Sequence, residues 1–203
     1  MTIGRVFVVD DEPTVLAALE RMLRASEYEV ITFLSPSEFL AAAPHDGVGC
    51  VLLDLSMPEM NGLDVQDAMH RQGITMPVIF LSAYGDVPSA ARAMREGAID
   101  FLVKPIAEAE LLGAIRRALD AASTQERRRI SRAEVEERLS RLTPRERQVC
   151  DLVIKGLLNK QVGSELGMTE KTVKVHRGQV MRKLEVHSVA ALVRLIADLP
   201  ESS

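Results

Sequence analysis

Three short apolar runs in the first half of the chain each end in charged residues. The runs and the residues that follow them are Arg5–Val9 before Asp10 and Asp11, Cys50–Leu53 before Asp54, and Phe101–Val103 before Lys104. If these runs are parallel strands, their carboxyl ends lie at one edge of a sheet, where such sheets place their ligands. Carboxylates at that edge suit Mg²⁺, which prefers oxygen ligands, and a lysine opposite them suits a phosphoryl group.

The elements that must position these residues alternate along the chain. Strand signals occur at 5–10, 28–33, 49–54, 77–82 and 99–103. Helical patterns lie between and after them, at 13–25, 35–42, 62–72, 86–97 and 105–122. Five such βα units predict a doubly wound α/β domain with a five-stranded parallel sheet of the flavodoxin-like type.

Charge divides the chain into two parts. Residues 1–122 carry 9 Lys and Arg against 18 Asp and Glu, whereas residues 123–203 carry 16 against 11. An acidic domain therefore precedes a basic one, and the basic part favours a polyanionic partner. The sequence has no Trp and only 3% aromatic residues, which argues against a stacking surface for single strands. Double-stranded DNA is the expected partner of the second part.

Other features bear on the location and redox chemistry of the protein. No uncharged apolar stretch approaches the roughly 18 residues that a membrane span needs, and aspartates follow the first apolar run too soon for a secretory signal. We therefore expect a cytoplasmic protein without a membrane partner. Cys50 lies in a predicted strand and Cys150 in a predicted helix of the other domain, so both are expected to be core thiols.

Residues 3–122 resemble the receiver domains of two-component response regulators. The resemblance rests on the acidic pair, on Leu-Ser-Met-Pro-Glu-Met-Asn-Gly after Asp54, on Ser82-Ala83 and on Lys104-Pro105. It implies that Asp54 accepts a phosphoryl group from a phosphohistidine of a cognate sensor histidine kinase. The Mg²⁺ ligands that it implies, direct or through water, are Asp10, Asp11, Asp54 and the backbone carbonyl of Ser56.

The same resemblance implies a switch beside this site. Ser82 matches the hydroxyl position that moves toward the new phosphate, and Phe101 matches the aromatic position that then turns inward. The ammonium of the Lys104-Pro105 pair neutralises phosphate charge, and the bond between the two residues is expected to be cis. Ile106 stands where related regulators often have Phe, and Tyr84 lies where side-chain size can screen the phosphate from water. The lifetime of the phosphate is therefore left open.

Two other functions are weighed against this one. A phosphoaspartyl hydrolase would also place an aspartate after a strand with Mg²⁺, but it usually has a second aspartate two positions on, where this chain has Ser56. A receiver that serves only as a dimer scaffold would not need Asp54 and Lys104. We expect no catalytic activity in this protein other than Mg²⁺-dependent self-phosphorylation and autodephosphorylation.

The middle of the chain predicts a helical connection. Residues 123–140 are dense in Arg and Glu with sparse apolar positions at Ile130, Val135 and Leu139, which is typical of an exposed helical linker. A short coiled coil is left open. The expected organisation is a receiver domain over 1–122, this linker over 123–140, and a DNA-binding domain over 141–203.

The basic part predicts four helices in a helix-turn-helix arrangement. Thr143, Pro144 and Glu146 form a capping-box signal, so the first helix begins there and ends near Gly156. The other three helices are expected at Asn159–Leu166, Glu170–Leu184 and Ser188–Leu199. The last one carries more apolar surface than a small core needs and is a candidate dimer contact.

Residues 138–199 resemble the LuxR-type, or FixJ/NarL-type, DNA-binding domain. The resemblance rests on Gly-Leu-Leu-Asn-Lys-Gln-Val-Gly-Ser-Glu-Leu-Gly from Gly156, followed by Thr-Val-Lys-Val-His-Arg from Thr172. Gly163 stands where the family usually has Ala, and we expect it to loosen its helix. In the receiver, Gly-Asp-Val-Pro from Gly85 and Ala-Ile-Asp-Phe from Ala98 are similar to the FixJ branch in particular.

Helical periodicity indicates which face of the third helix meets DNA. Val173, Val180 and Leu184 point inward, with Met181 at the margin, and an outward stripe is basic at its ends and apolar in the middle. The expected DNA-binding residues are Lys160, Lys171, Thr172, Lys174, Val175, Arg177, Gly178 and Arg182. An exposed glycine inside a helix is unfavourable by about 1 kcal/mol relative to alanine, so Gly178 indicates close approach of another backbone. Arg177 lies nearer the inner side and is expected to extend to a phosphate.

Together the resemblances imply a phosphorylation-controlled, sequence-specific transcriptional regulator. Phosphorylation is expected to promote a homodimer through the helix Asp86–Gly97 and the strand of Phe101, so that paired half-sites are bound together. The alternative is release of a masked DNA-binding helix. A sensor kinase, double-stranded DNA and, as a further candidate, RNA polymerase are the implied partners.

Overall fold

A computed structural model describes residues 4–42, 48–85 and 87–197. The helix limits predicted at Asp86 and Leu199 lie outside these described residues. The chain divides into two compact units, the first ending at Glu126 and the second beginning at Arg127.

The first unit alternates strands with helices. In chain order its elements are β1 (Arg5–Val9), α1 (Pro13–Ala25), β2 (Glu29–Phe33), α2 (Pro36–Ala42), β3 (Gly49–Asp54), α3 (Gly62–Arg71), β4 (Val78–Ser82), α4 (Val87–Arg95), β5 (Asp100–Val103) and the first part of α5 (Glu108–Ser140). The strands form one sheet in the order β2-β1-β3-β4-β5, and every neighbouring pair is parallel. The predicted doubly wound fold is confirmed.

Side chains from both faces of the sheet form separate core clusters. Successive residues of a strand point to opposite faces, so Val8 packs with Leu16 of α1 and Ile115 of α5. Phe7 lies on the other face, with its ring centroid 6.3 Å from that of Phe39 in α2. Burial on both faces explains why β3 and β4 are continuously apolar rather than alternating up to their polar last residues, Asp54 and Ser82.

The connection between the units differs from the expected exposed linker. Helix α5 continues without interruption from Glu108 to Ser140, since no Gly or Pro lies between Gly113 and Pro144. Ile130 is exposed as expected, but Val135 and Leu139 are buried in the core of the second unit. The end of the predicted linker is therefore part of the helical unit.

The second unit consists of helices. After the end of α5 come α6 (Pro144–Ile154), α7 (Asn159–Leu166), α8 (Glu170–Lys183) and α9 (Val189–Ala197). The predicted capping box is present, because Thr143 Oγ1 accepts from the backbone N–H of Glu146 at 3.3 Å and Glu146 Oε2 accepts from the N–H of Thr143 at 2.7 Å. Helix α7 ends at Gly167, whose φ of 64° lies in the left-handed region, and the chain turns there into α8.

Both cysteines lie in the core with free thiols, as predicted. Burial raises the pKa of the Cys50 thiol to about 12 and that of Cys150 to about 11. At neutral pH both are therefore protonated and poor nucleophiles. No helix in the described part of the chain is both long and apolar enough to cross a membrane.

Candidate functional site

Three strand ends bring two aspartates and a lysine together in an acidic pocket. Asp10 follows β1, Asp54 is the last residue of β3, and Lys104 follows β5. These strands are parallel, so their carboxyl ends lie at the same edge of the sheet. Asp10 and Asp54 are buried, although both are acidic. The convergence predicted from the three apolar runs is present for these residues.

The Lys104 ammonium lies between the two carboxylates. Its Nζ donates to Asp10 Oδ2 at 2.7 Å and to Asp54 Oδ1 at 2.6 Å. The remaining oxygens accept from the backbone, Asp10 Oδ1 from the N–H of Glu12 at 2.9 Å and Asp54 Oδ2 from the N–H of Ser56 at 2.7 Å. All four carboxylate oxygens are therefore held in defined positions, as buried charges require.

One ammonium is shared by two buried carboxylates, and the half-buried Asp11 directly follows Asp10 in the chain. Burial alone would lower the pKa of Lys104. Its hydrogen bonds to Asp10 and Asp54, together with their negative charges, raise the pKa by more than burial lowers it, so the net pKa is above the ordinary value. The lysine therefore stays charged at neutral pH. Three aspartates against one lysine give this site a formal excess of negative charge, which favours an additional cation.

The donor types of the pocket fit Mg²⁺. Within residues 4–42, 48–85 and 87–197, no three His, Cys, Asp or Glu side chains converge as a ready-made metal cluster. Mg²⁺ in proteins usually takes only one or two carboxylates and fills its other positions with water and phosphate oxygens. Asp10 and Asp11, with Asp54 and the backbone of Ser56 nearby, supply that kind of oxygen ligand.

The predicted switch residues lie on β4 and β5, whose carboxyl ends lead to the pocket. Ser82 ends β4, and its hydroxyl donates to the backbone carbonyl of Tyr84 at 2.6 Å rather than to a pocket residue. The Phe101 ring is half-buried in β5, 6.3 Å from the ring of Phe80. The Lys104-Pro105 bond is cis, as the receiver resemblance implied.

A close approach of α3 fixes the loop after Asp54. The backbone N–H of Gly62 donates to the carbonyl of Leu55 at 2.9 Å, and a Cβ at Gly62 would lie 2.5 Å from the carbonyl oxygen of Asp54. Only glycine fits there. Asn61 caps α3 by accepting from the N–H of Leu63 at 2.9 Å. The Asn-Gly end of the motif therefore closes the loop that carries Ser56.

The second candidate site is the exposed face of α8. Val173, Val180 and Leu184 are buried and Met181 is half-buried, which confirms the predicted inner side of this helix. The residues exposed on the other side are Lys171, Thr172, Lys174, Val175, Gly178 and Arg182. Lys160 is exposed on α7. A basic face on a helix of this length has the shape and charge to enter a DNA major groove.

Arg177 has a different environment from the one expected. Its guanidinium is half-buried and donates to Asn159 Oδ1, in the first turn of α7, at 2.9 Å. The sequence predicted that this side chain reaches a phosphate. The contact depends on the packing of α7 against α8, which helical periodicity alone does not reveal.

The sequence matches the response regulator receiver domain over residues 6–116 and the luxR family of bacterial regulatory proteins over residues 140–196. The chain belongs to the LuxR-type response regulators. Both domains are of the kinds that the two sequence resemblances indicated. The protein is therefore a response regulator that combines a receiver with a DNA-binding domain and acts in transcription.

Relatives align along nearly the whole response regulator. The response regulator protein TodT of Pseudomonas putida is 44% identical over 197 residues, which cover 97% of this chain and 87% of TodT. The transcriptional regulatory protein FixJ of Azorhizobium caulinodans is 37% identical over 94% of this chain and 90% of FixJ. The solved structure of the response regulator StyR has a TM-score of 0.84 at 42% identity, covering 96% of this chain and 98% of StyR.

Full-length FixJ from B. japonicum has the same organisation. Its structure is 33% identical to this response regulator, with a TM-score of 0.61 and coverage of 98% of both chains. The two-domain organisation therefore recurs in solved full-length relatives.

A network between α6 and α8 in this response regulator was not predicted from the sequence. Lys183, the last residue of α8, donates to Glu146 Oε2 at 2.6 Å and to the backbone carbonyl of Arg141 at 3.0 Å. Glu146 is buried, so its charge needs this partner. The capping box indicated Glu146 but not the lysine that pairs with it.

Gly163 also has a role that differs from the expected one. A Cβ at this position in α7 would lie 2.7 Å from the backbone carbonyl oxygen of Met168, and the carbonyl of Gly163 accepts from the N–H of Met168 at 2.9 Å. The glycine therefore allows a close approach between α7 and the turn before α8. It permits tighter packing instead of loosening the helix.

Proposed function

We propose that Asp54 accepts a phosphoryl group from a phosphohistidine of a sensor histidine kinase in the cytoplasm. The observation that carries this proposal is the Lys104 ammonium 2.6 Å from Asp54 Oδ1, where it would neutralise charge on an acyl phosphate. Asp54 is favoured over Asp10 as the acceptor because its side chain is 9% exposed, against 1% for Asp10.

The ligands proposed for Mg²⁺ are Asp10, Asp11, Asp54 and the backbone carbonyl of Ser56. When bound, Mg²⁺ supplies positive charge to the oxygens of the transferring phosphoryl group. Lys104 supplies the second positive charge, and the N–H of Ser56 orients Asp54 through its 2.7 Å hydrogen bond. The same residues would support self-phosphorylation by small phosphodonors and autodephosphorylation.

The switch proposal concerns Ser82 and Phe101. The Ser82 hydroxyl is engaged by the carbonyl of Tyr84, and we propose that it leaves this partner to donate to the new phosphate. Phe101 then turns further into the core from its half-buried position. Tyr84 is exposed and lies two residues after Ser82, and we propose that its size influences how fast water reaches the acyl phosphate.

The phosphoacceptor assignment is tested by Asp54→Asn. We expect this variant to lose Mg²⁺-dependent labelling by a small-molecule phosphodonor, because an amide is not a nucleophile toward phosphorus. Asp64→Asn, in the exposed first turn of α3, is the matched control and should label normally. Wild-type labelling of the Asp54 variant would refute the assignment. Phosphate release from small phosphoesters would instead indicate a hydrolase.

For DNA, we propose that Lys160 and the exposed face of α8 contact a duplex. The proposed contact residues are Lys160, Lys171, Thr172, Lys174, Val175, Arg177, Gly178 and Arg182. For Arg177, the contact would require either release from Asn159 or a phosphate that binds to the pair. The support comes from the basic, exposed face and from the buried opposite side, which holds it in place.

Lys174→Ala tests the orientation of α8. If Lys174 reads a base, its removal should weaken the specific site by about 1 to 3 kcal/mol, whereas a phosphate contact would weaken all sequences alike and lower the salt slope by about one. Arg194→Ala, on the exposed side of α9, is the control for loss of one charge. Unchanged binding and an unchanged salt slope for the α8 variant would exclude this helix from the groove.

We further propose that phosphorylation promotes a homodimer through α4 and β5. Val87 and Tyr84 are 77% and 79% exposed despite their apolar character, and a groove of about 330 Å³ lies between Met94, Phe101 and Val103. Exposed apolar patches of this kind are typical of interfaces. A dimer would raise the affinity for paired half-sites far above that for one half-site.

RNA polymerase is a further proposed partner.

Sedimentation with and without a stable phosphate mimic tests the dimer, alongside binding to whole and half sites. We expect a shift from monomer to dimer and a gain confined to whole sites. Val87→Asp on the proposed face should prevent both. A monomer in both states whose half-site affinity rises would refute dimer control and favour release of a masked DNA-binding helix.

A further inference from the structure

The middle of α5 carries a run of arginines that packing does not explain. Four of the six residues at 127–132 are arginine and none is acidic. Residues 127–134 are all exposed, so the whole circumference of the helix meets solvent there. Arg127 and Arg129 interact with other groups of the chain, whereas Arg128 has no hydrogen-bond or ion-pair partner among the described residues.

Arg128 does not stabilise its own helix through an ion pair. Residues four apart are neighbours on a helix, and Arg132 uses this spacing to donate from Nε to Glu136 Oε1 at 2.8 Å. Arg128 instead has Thr124 four residues before it and Arg132 four residues after it. Like charges at this spacing are unfavourable for the helix. The charge of Arg128 is therefore available to a partner outside the chain.

Arg128 and Arg132 lie on the side of α5 that packs against the DNA-binding core. They precede Val135 and Leu139 by seven residues each, which is close to two full helical turns. Both apolar residues are buried in that core. The line of α5 that packs there thus continues as two arginines, and Arg128 lies about 10 Å farther along the helix than Val135.

The end of α5 lies beside the end of α8. Arg138 Nη2 is 3.4 Å from Glu185 Oε2, just after α8. Lys183, the last residue of α8, donates to the backbone carbonyl of Arg141, just after α5, at 3.0 Å. The exposed Arg182 at the end of the basic face of α8 directly precedes Lys183. The basic line on α5 therefore leads away from the helix proposed to enter the major groove.

We propose that Arg128, together with Arg132, binds backbone phosphates of duplex DNA beside the segment that α8 occupies. The proposal rests on the proposed duplex contact of α8 and adds a second contact that is independent of base sequence. A guanidinium suits phosphate because it donates two parallel hydrogen bonds. It has five N–H donors, so Arg132 can bind phosphate while its Nε stays on Glu136. Each phosphate neutralised in this way releases counterions, which makes the contact dependent on salt.

DNA titration of the full-length protein at several salt concentrations tests this proposal. Arg128→Gln removes one positive charge from the basic line. Ala133→Glu changes the net charge by the same amount at an exposed position about 140° around the helix. We expect Arg128→Gln to weaken binding to specific and unrelated duplexes alike, by about 5- to 10-fold near 0.1 M salt, and to lower the salt slope by about one. Ala133→Glu should keep the wild-type slope. Equal effects of the two variants, or no effect of Arg128→Gln, would overturn the proposal.

Two further variants separate this contact from the contact of α8 and from a role in folding. If Lys174→Ala weakens binding and Arg128→Gln does not, only the α5 proposal fails, whereas the reverse result would refute the α8 contact and keep the α5 contact. Arg128→Glu places a glutamate four residues before Arg132, an order that favours the helix. Urea unfolding should therefore show unchanged or higher stability while DNA affinity falls. A loss of stability that accompanies the loss of affinity would indicate a structural role and overturn the proposal.

Discussion

The acidic pocket and the exposed face of α8 both depend on lysines, but they use charge in different ways. Lys104 is fixed between two buried carboxylates at 2.6 Å and 2.7 Å, so its charge contributes to the folded state itself. Lys174 is exposed on α8, and its charge is available to a partner. A buried charge must be matched within the protein, whereas an exposed one contributes little to stability and acts on binding.

The largest predicted effect is therefore a difference between two lysine substitutions. Lys104→Met should lower the free energy of unfolding by about 3 kcal/mol, since removing one partner of a buried ion pair leaves uncompensated charge. Lys174→Met should change it by less than about 0.5 kcal/mol, as is usual on the surface. Urea unfolding of both variants at neutral pH measures the difference. Equal losses in the two variants would contradict the comparison.

A double variant sharpens this prediction. Asp54→Asn removes one of the two carboxylates that Lys104 neutralises, so adding it to Lys104→Met should restore part of the lost stability. The coupling between the two positions should be on the order of 1 kcal/mol or more, because the side chains are in direct contact. If the two stability changes simply add in the double variant, the 2.6 Å hydrogen bond between Lys104 and Asp54 contributes little to stability.

The second prediction concerns a buried charge in the DNA-binding unit. It tests whether burial, rather than the domain in which a charged residue lies, determines if its charge contributes to stability. Glu146 is buried in the DNA-binding unit. Its hydrogen bond with Lys183 and that with the backbone N–H of Thr143 hold its pKa below the ordinary value of 4.5. The folded state thus binds this proton less readily than the unfolded state. The resulting stabilisation is present above about pH 4.5 and is lost as the pH falls through the lower, folded-state pKa.

Glu146→Gln should therefore lower the stability of the DNA-binding unit at neutral pH by about 1 kcal/mol, the typical contribution of a helix cap. It should also reduce the loss of stability in acid. Unfolding of the variant and the wild type between about pH 3 and about pH 7 measures both effects. Glu165→Gln, on the exposed side of α7, should leave the acid-induced loss unchanged. An unaltered pH profile in the Glu146 variant would show that its carboxylate is not the group responsible.

The two sites also differ in how they could be predicted from sequence. To predict the pocket, it was enough to recognise that Asp10, Asp54 and Lys104 follow or end parallel strands, because the sheet topology then brings their side chains together. To predict the exposed face of α8, the helical period of its residues was enough. Both rules are local patterns with a fixed geometric consequence, which is why these residues could be located from the sequence.

The contacts that could not be predicted follow from no such rule. The hydroxyl of Ser82 donates to a backbone carbonyl in its own loop, Arg177 donates to Asn159 on another helix, and Val135 is buried against the helical unit. Each depends on loop conformation or on the packing of one helix against another. Gln66 of α3 is likewise buried by neighbouring elements, which its polar side chain does not reveal.

The smallest predicted effects come from two helical glycines, of which Gly163 lies at a close contact inside the unit and Gly178 lies on the exposed face of α8. At Gly163 a Cβ would lie 2.7 Å from the Met168 carbonyl oxygen, whereas at Gly178 no described atom lies within 4 Å of it apart from chain neighbours and the backbone of its own helix. Alanine is favoured over glycine inside a helix by about 1 kcal/mol, but overpacking a close contact is unfavourable by about 1 to 3 kcal/mol. Gly163→Ala should therefore destabilise the DNA-binding unit by about 1 kcal/mol, and Gly178→Ala should stabilise it by a similar amount.

Binding then distinguishes why Gly178 is present. If a DNA backbone approaches α8 at this point, the added methyl group of Gly178→Ala should weaken duplex binding even though the protein becomes more stable. Urea unfolding and DNA titration of the same preparation measure both quantities, so a loss of affinity cannot be attributed to unfolding. Wild-type affinity combined with higher stability would mean that DNA does not approach Gly178, and the contact surface would then shift toward the first two turns of α8, where Lys171 and Lys174 lie.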